Sequence, residues 1–308
     1  MSAALLRIGT RGSRLARAQT ELVCRALAAA HPELAAPGAL EPVVIRTTGD
    51  RVTDRPLAEL GGKGLFCKEI ETALLDRRID LAVHSTKDLS TWLTRGLVIG
   101  VVLERADPRD VLIARAPTSI ADLPQGAVIG TASVRRKAQL LERRPDLQIV
   151  NFRGNVDTRL RKLAAGEVDA TLLAQAGLSR LGLAEAGAVP LAPEEMLPAV
   201  GQGAIAVECR ADDAPTLALV AAIDHSISSA CVRAERGLLA ALDGSCHTPI
   251  GGLAEIVNRR LRLRALVARP DGSACLRAER TGAIADAEQL GRDAGAELRA
   301  RAGPGFFE

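Results

Sequence analysis

Apolar residues alternate at Ile79, Leu81 and Val83 directly after an amphipathic run over 68–78, the pattern of a helix feeding a half-buried strand. The same grammar recurs along the chain. Residues 5–10 read as a strand, and Ser13 as the N-cap of a helix with Leu15, Ala18, Leu22 and Ala26 on one face. A second strand is expected at 43–45. The nearly continuous apolar run 97–103 predicts a strand buried on both faces. After a polar crossing at 105–110, a second α/β series has strands over 128–131, 148–152 and 168–173. Ser133 caps one of its helices, and another covers 156–165. A strand at 204–209 follows a second crossing at 198–203. From Ser226 the order changes to a helix ending at Leu242, strands near 251–258, 260–268 and 274–281, and a last helix over 285–301. That is a small separate α+β domain. Gly9-Thr10, Ser13 and Ala18-Gln19 are echoed by Gly130-Thr131, Ser133 and Ala138-Gln139 with a one-residue gap, which predicts two similar lobes.

Chemistry-bearing residues gather where these strands end. His84-Ser85-Thr86-Lys87-Asp88 follows the strand at 79–83, and ligands of open α/β sheets bind at the carboxyl ends of strands. Arginines recur in equivalent places: Arg11, Arg135, Arg136, Arg153, Arg159 and Arg180. Arg135 and Arg136 fall in a first helical turn, where the dipole disfavours cations, so an anion is expected between them. The joint pattern suggests a cleft for several carboxylates or phosphates. The polar stretch 47–64 is long for a compact domain and reads as a lid. Its Gly61-Gly62-Lys63-Gly64 run lacks P-loop spacing, and Leu65 stands where a magnesium-binding hydroxyl belongs.

Composition narrows the partners. The 308 residues are 47% hydrophobic and 25% charged, enough for two or three globular domains. A net charge of +3 does not point to nucleic acid, and 2% aromatic content without Tyr leaves no stacking platform for bases. No apolar run is long enough to span a bilayer, and Arg7 interrupts any signal-like start, so a cytoplasmic location without membrane contact is expected. The six cysteines show no metal-ligand spacing, and no metal is expected. Most should be buried fillers. Cys246 differs, because Gly244-Ser245 and Thr248-Pro249 place it in an exposed turn. Its neighbour His247 permits a nucleophilic-hydrolase reading, although adjacent loop residues seldom hold the required geometry. An attachment point fits a lone exposed thiol better. A two-lobed solute-binding module is a further alternative. No sustained heptad argues for more than a monomer.

Taken together, the chain resembles the porphobilinogen deaminase family. The matching stretches are Arg7-Ile8-Gly9-Thr10-Arg11, 61–66, 83–88, Asp107-Pro108-Arg109-Asp110, 130–136, Arg153-Gly154-Asn155-Val156, 197–203 and 243–251, in family order across almost the whole chain. Thr86, Leu89-Ser90, Ala132 and Ser245 depart from the usual pattern without removing a charged or nucleophilic group. The resemblance implies two periplasmic-binding-protein-like α/β lobes plus the α+β domain. Lobe 1 would comprise 1–104 and 204–222, lobe 2 105–203, and the third domain 226–308. It implies a transferase condensing four porphobilinogen molecules head to tail into hydroxymethylbilane with release of ammonia. It also implies a dipyrromethane cofactor joined by thioether to Cys246, with Asp88 as catalytic carboxylate. Ser85, Lys87, Ser133, Arg135 and Arg136 would hold the cofactor. Arg11, Ser13, Gln19, Thr131, Arg153, Arg159 and Arg180 would handle substrate, and 47–62 would form a mobile cover.

Overall fold

The computed structural model describes residues 6–51, 67–115, 119–183, 187–244 and 248–307. Most of the expected cover, and the expected anchor Cys246 with Ser245 and His247, lie outside the described residues. The described residues divide into two compact units, the first comprising 6–51, 67–106 and Ala204–Ser229, the second Asp107–Gly203 and Ala230 onward.

The first unit is built on β1 (Leu6–Thr10), β2 (Leu40–Val44), β3 (Leu81–Ser85), β4 (Leu97–Val102) and β10 (Ile205–Arg210), in the order β2-β1-β3-β10-β4. β1 is parallel to β2 and β3, whereas β10 is antiparallel to β3 and β4. Helices α1 (Arg14–Ala30), α2 (Thr48–Arg51), α3 (Lys68–Leu75) and α7 (Ala214–Ala221) complete it. Leu81 and Val83 share a core with Val23 and Leu27 of α1 and Val220 of α7. Ala82, on the opposite face, packs with Ile70, Ala73 and Leu74 of α3. The period-2 pattern of the strand is thereby satisfied on both faces. β4 corrects the expectation of a strand buried on both faces: it is an edge strand, and Val98, Ile99 and Gly100 keep partial exposure.

The second unit repeats the plan. Here β5 (Asp110–Ala114), β6 (Val128–Gly130), β7 (Gln148–Val150), β8 (Ala170–Ala174) and β9 (Ala188–Pro190) run in the order β7-β6-β8-β5-β9. β6 is parallel to β7 and β8, and β5 is antiparallel to β8 and β9. The helices are α4 (Val134–Arg143), α5 (Val156–Ala164) and α6 (Gln175–Arg180). The two sheets share strand order and sense, so these are two similar α/β lobes, and the echo between Gly9-Thr10 and Gly130-Thr131 marks matching strand ends. β5 and β9 were not legible: Asp110 opens β5 inside a stretch that reads as a polar crossing, and β9 has three residues.

The smaller α+β part has the antiparallel meander β11 (Ile250–Val257), β12 (Arg260–Ala268) and β13 (Cys275–Gly282), with α8 (Ser226–Leu242) and α9 (Ala287–Ala302). Asp243, with φ 48°, and Gly244, whose N–H donates to the carbonyl of Leu239 at 2.9 Å, end α8 in a Schellman-type turn just before the Cys246 loop. α8 and α9 approach closely at glycines. A Cβ on Gly237 would lie 2.5 Å from the carbonyl oxygen of Glu288, and one on Gly291 would strike that of Ala234. Gly291→Ala is therefore expected to cost about 1–3 kcal/mol by overpacking. Urea unfolding followed by circular dichroism checks this, and an unchanged midpoint would contradict the close approach.

Candidate active site

In the first unit the chain leaves β3 at Ser85 and turns at once through a 3₁₀ turn, Thr86–Asp88, closed by the Leu89 N–H donating to the Thr86 carbonyl at 3.2 Å. The Asp88 side chain is 35% exposed, and its Oδ2 lies 3.9 Å from Nη1 of Arg11, which follows β1. A reachable carboxylate thus sits beside a guanidinium at neighbouring strand ends. Buried Gln19 of α1 donates from Nε2 to Ser85 Oγ at 2.8 Å. Ser13 caps α1 by accepting from the Ala16 N–H at 3.2 Å, as its sequence position predicts. Lys87 lies half-buried within the turn. Arg11, Ser13, Gln19, Ser85, Lys87 and Asp88 therefore belong to one unit.

The second unit gathers the other candidates. Ser133 caps α4, and Arg135 and Arg136 fill its first turn, both nearly fully buried. Their anion is Asp110. Nη1 of Arg135 donates to Oδ2 at 2.7 Å, while Nη2 and Nε of Arg136 donate to Oδ1 at 2.7 and 3.1 Å. Gln202 adds a bond from Nε2 to Oδ1 at 2.9 Å. Burial alone would raise the Asp110 pKa, but the charges of Arg135 and Arg136 outweigh it and hold the carboxyl well below the usual range. Remaining guanidinium donors reach the carbonyls of Leu197 and Leu172, whereas Nε of Arg135 is buried without a partner. Thr131 is buried and accepts from the Ser133 N–H at 3.2 Å.

Arg159 and Arg180 are different. Each is half-buried and bonds only a backbone carbonyl, Gly154 at 2.9 Å and Gly203 at 2.6 Å respectively. Among the described residues no carboxylate neutralises either. Burial lowers both to about 10, and for Arg159 the charges of Arg136 and Arg153 add to the effect. Two arginines share one carboxylate, and Arg159 and Arg180 have none among the described residues, so this unit holds positive charge at partly dry positions. A group bearing several carboxylates matches such a donor set.

Asp110 and Gln202 are the residues that sequence reading missed. The signal was present, since two adjacent buried cations demand an acid. Asp107 and Asp110 both stood in the segment read as a crossing, and only the fold shows which one turns inward.

One unit thus presents a reachable carboxylate at a strand end, and the other carries surplus arginine of a kind suited to carboxylate-bearing molecules. Comparison with known proteins makes this specific. Residues 6–218 match the family model described as porphobilinogen deaminase, dipyromethane cofactor binding domain, and 229–300 match its C-terminal domain. The chain is 56% identical over 303 residues to porphobilinogen deaminase of Paracoccus denitrificans, covering 98% of this chain and 96% of that one. It is 50% identical over 308 residues to the chloroplastic porphobilinogen deaminase of Oryza sativa subsp. japonica, covering 99% and 86%. Among solved structures, the periplasmic aliphatic sulphonate binding protein SsuA of Escherichia coli aligns at TM-score 0.40 and 18% identity, over 78% of this chain and 71% of that one. The chain belongs to the porphobilinogen deaminase family. It is a transferase that condenses porphobilinogen units into hydroxymethylbilane, using a dipyrromethane cofactor.

Asp110→Asn leaves two buried arginines without a counter-charge and should cost about 3–5 kcal/mol near neutral pH. Because the folded Asp110 pKa lies below its unfolded value of about 3.9, its contribution is complete above that pH and lost as pH falls toward the folded pKa. Urea midpoints from about pH 3 to 7 should therefore fall less steeply with acid in Asp110→Asn than in the parent. Parallel profiles would contradict the assignment.

Proposed function

We propose that Asp88 is the catalytic carboxylate of this transferase and that Cys246 anchors its dipyrromethane by a thioether. The observation that supports this most is the placement of Asp88: a partly exposed carboxylate on a closed turn at a strand end, beside Arg11. Porphobilinogen must lose ammonia, leaving positive charge spread over its ring. Asp88 can donate a proton toward the departing amine, hydrogen-bond the pyrrole N–H while charge develops, and accept the proton released when the ring regains aromaticity. Arg11 beside it attracts the substrate's acetate or propionate.

When bound, the dipyrromethane supplies the nucleophilic pyrrole carbon to which the first substrate unit is joined. Ser85, Lys87 and Ser133 would hold it through hydrogen bonds. Arg135 and Arg136 keep one net positive charge after Asp110, which suits a cofactor carboxylate. Arg153, Arg159 and Arg180, together with Arg11, Ser13, Gln19 and Thr131, would receive substrate carboxylates. Arg159 and Arg180 gain most, because each is partly buried without an acid. On this reading 1–104 with 204–222 carry the chemistry, 105–203 the carboxylate-binding arginines, and 226–308 the anchor. The five described cysteines are free thiols, three of them buried, and among the described residues no single helix is long and apolar enough to cross a membrane. Free thiols suit a reducing compartment, and we place the reaction in the cytoplasm.

Asp88→Asn should keep the fold and the bound cofactor yet lower kcat by about 10²–10⁴-fold, the usual worth of a positioned acid–base group. Turnover of porphobilinogen by the purified variant checks this. A rate near that of the parent would refute the role of Asp88.

A further inference from the structure

The apolar layer between the first sheet and α3 contains polar side chains that the chemistry above does not use. Glu208 lies opposite Ala82 in the antiparallel register of β10 and β3, and His84 follows two residues on, so both share the face that α3 covers. Nε2 of His84 is 3.1 Å from Oε2 of Glu208, an ion-pair contact without hydrogen-bond alignment, with side chains only 3% and 0% exposed. Cys67, fully buried at the N-cap of α3, brings Sγ to 4.0 Å from Nδ1 of His84. The same thiol donates to the backbone carbonyl of Asp88 at 3.3 Å. Burial, then the charges of Glu208, Asp88 and Glu71, push the Cys67 thiol up, so it remains a protonated donor rather than a nucleophile. Leu89, the residue after Asp88, packs in the same small cluster as Cys67 and Ala206. Among the described residues no three such groups converge as metal ligands.

A buried polar pair is poor value for stability alone, since apolar side chains of similar volume often serve as well or better. This one ends on the backbone of the catalytic turn. We propose that Glu208, His84 and Cys67 form a positioning network that fixes the Asp88 turn, and hence the reach of its carboxylate. The proposal rests on the reading of Asp88 as catalytic. Among the contacts that hold the turn are the Leu89 N–H to the Thr86 carbonyl, the Thr86 N–H to the Ala204 carbonyl at 3.1 Å and, on the side chain of Cys67, the thiol to the Asp88 carbonyl. Of these, the thiol bond is the one made at Asp88 itself, so releasing it lets the carboxylate wander, and misplacement by about 1 Å can cost about 10²-fold in rate.

The test compares Cys67→Ala and Cys67→Ser in the holoenzyme, reading amide hydrogen exchange of the peptide over 84–93 alongside steady-state kinetics. Cys67→Ala should exchange faster there and lose about tenfold in kcat with KM changed less than about twofold. Cys67→Ser keeps an O–H donor and should restore both toward the parent. Parent-like exchange and kcat in Cys67→Ala would overturn the proposal, as would a kcat loss that Ser does not restore. Should Cys67→Ala fail to fold, Glu208→Gln decides: faster exchange over 84–93 with reduced kcat supports the network, and parent values overturn it. Asp88→Asn run alongside separates the two readings. Retained turnover in that variant would refute the role of Asp88, while exchange in the Cys67 variants would still decide the network.

Discussion

Asp110 stands at the start of β5 with the guanidinium groups of Arg135 and Arg136 closed on its two oxygens and the Gln202 amide completing the set. A carboxylate this deeply buried is tolerable only because two cations face it, and two cations so close are tolerable only because the carboxylate is there. The arrangement fixes the first turn of α4 against β5 and the 197–203 segment, since Arg135 and Gln139 also bond the Leu197 carbonyl. It leaves one positive charge over. That remainder lies close enough to Arg159 for its charge to be felt there, so positive charge accumulates on this side of the second unit.

The two lobes share one topology but end their matching strands differently. β3 and β8 occupy the same place in their sheets, yet β3 ends in the turn that presents Asp88, whereas β8 runs into α6 and its terminal Arg180. Both lobes use a serine N-cap after the first strand of the repeat, Ser13 and Ser133. In the first lobe the cap is followed by Gln19, which meets Ser85 just before the Asp88 turn. In the second, the equivalent Gln139 is spent on the Leu197 backbone. One lobe thus keeps these polar groups beside the Asp88 turn, and the other ties them to its own backbone.

Much of this was legible before the fold was known, because the informative residues obey local rules. The caps at Ser13 and Ser133, the alternation through Leu81 and Val83, and the cations misplaced in the first turn of α4 each carry their meaning within a few residues. The anion demanded by Arg135 and Arg136 was half-read: it is supplied by the chain's own Asp110. That escaped because the partner is distant in sequence and sits in a stretch that looks like a linker. Edge strand β4 was misread for a related reason. A continuous apolar run reports apolar contacts, not sheet position: Val101 packs with Val220 of α7 and Ile99 against the Cys67 cluster, yet the strand lies at the sheet edge. The pairing of His84 with Glu208 depends wholly on strand register, which no local pattern announces.

A dipyrromethane held covalently at Cys246, as proposed, would change the mass of the chain, so the decisive measurement is intact mass spectrometry of the purified, denatured protein beside its Cys246→Ala variant. The parent should exceed its sequence mass by two porphobilinogen units less two ammonias, and Cys246→Ala should have the bare mass of its chain. An equal excess on Cys246→Ala, or a parent that stays bare after incubation with porphobilinogen and with hydroxymethylbilane, would contradict it.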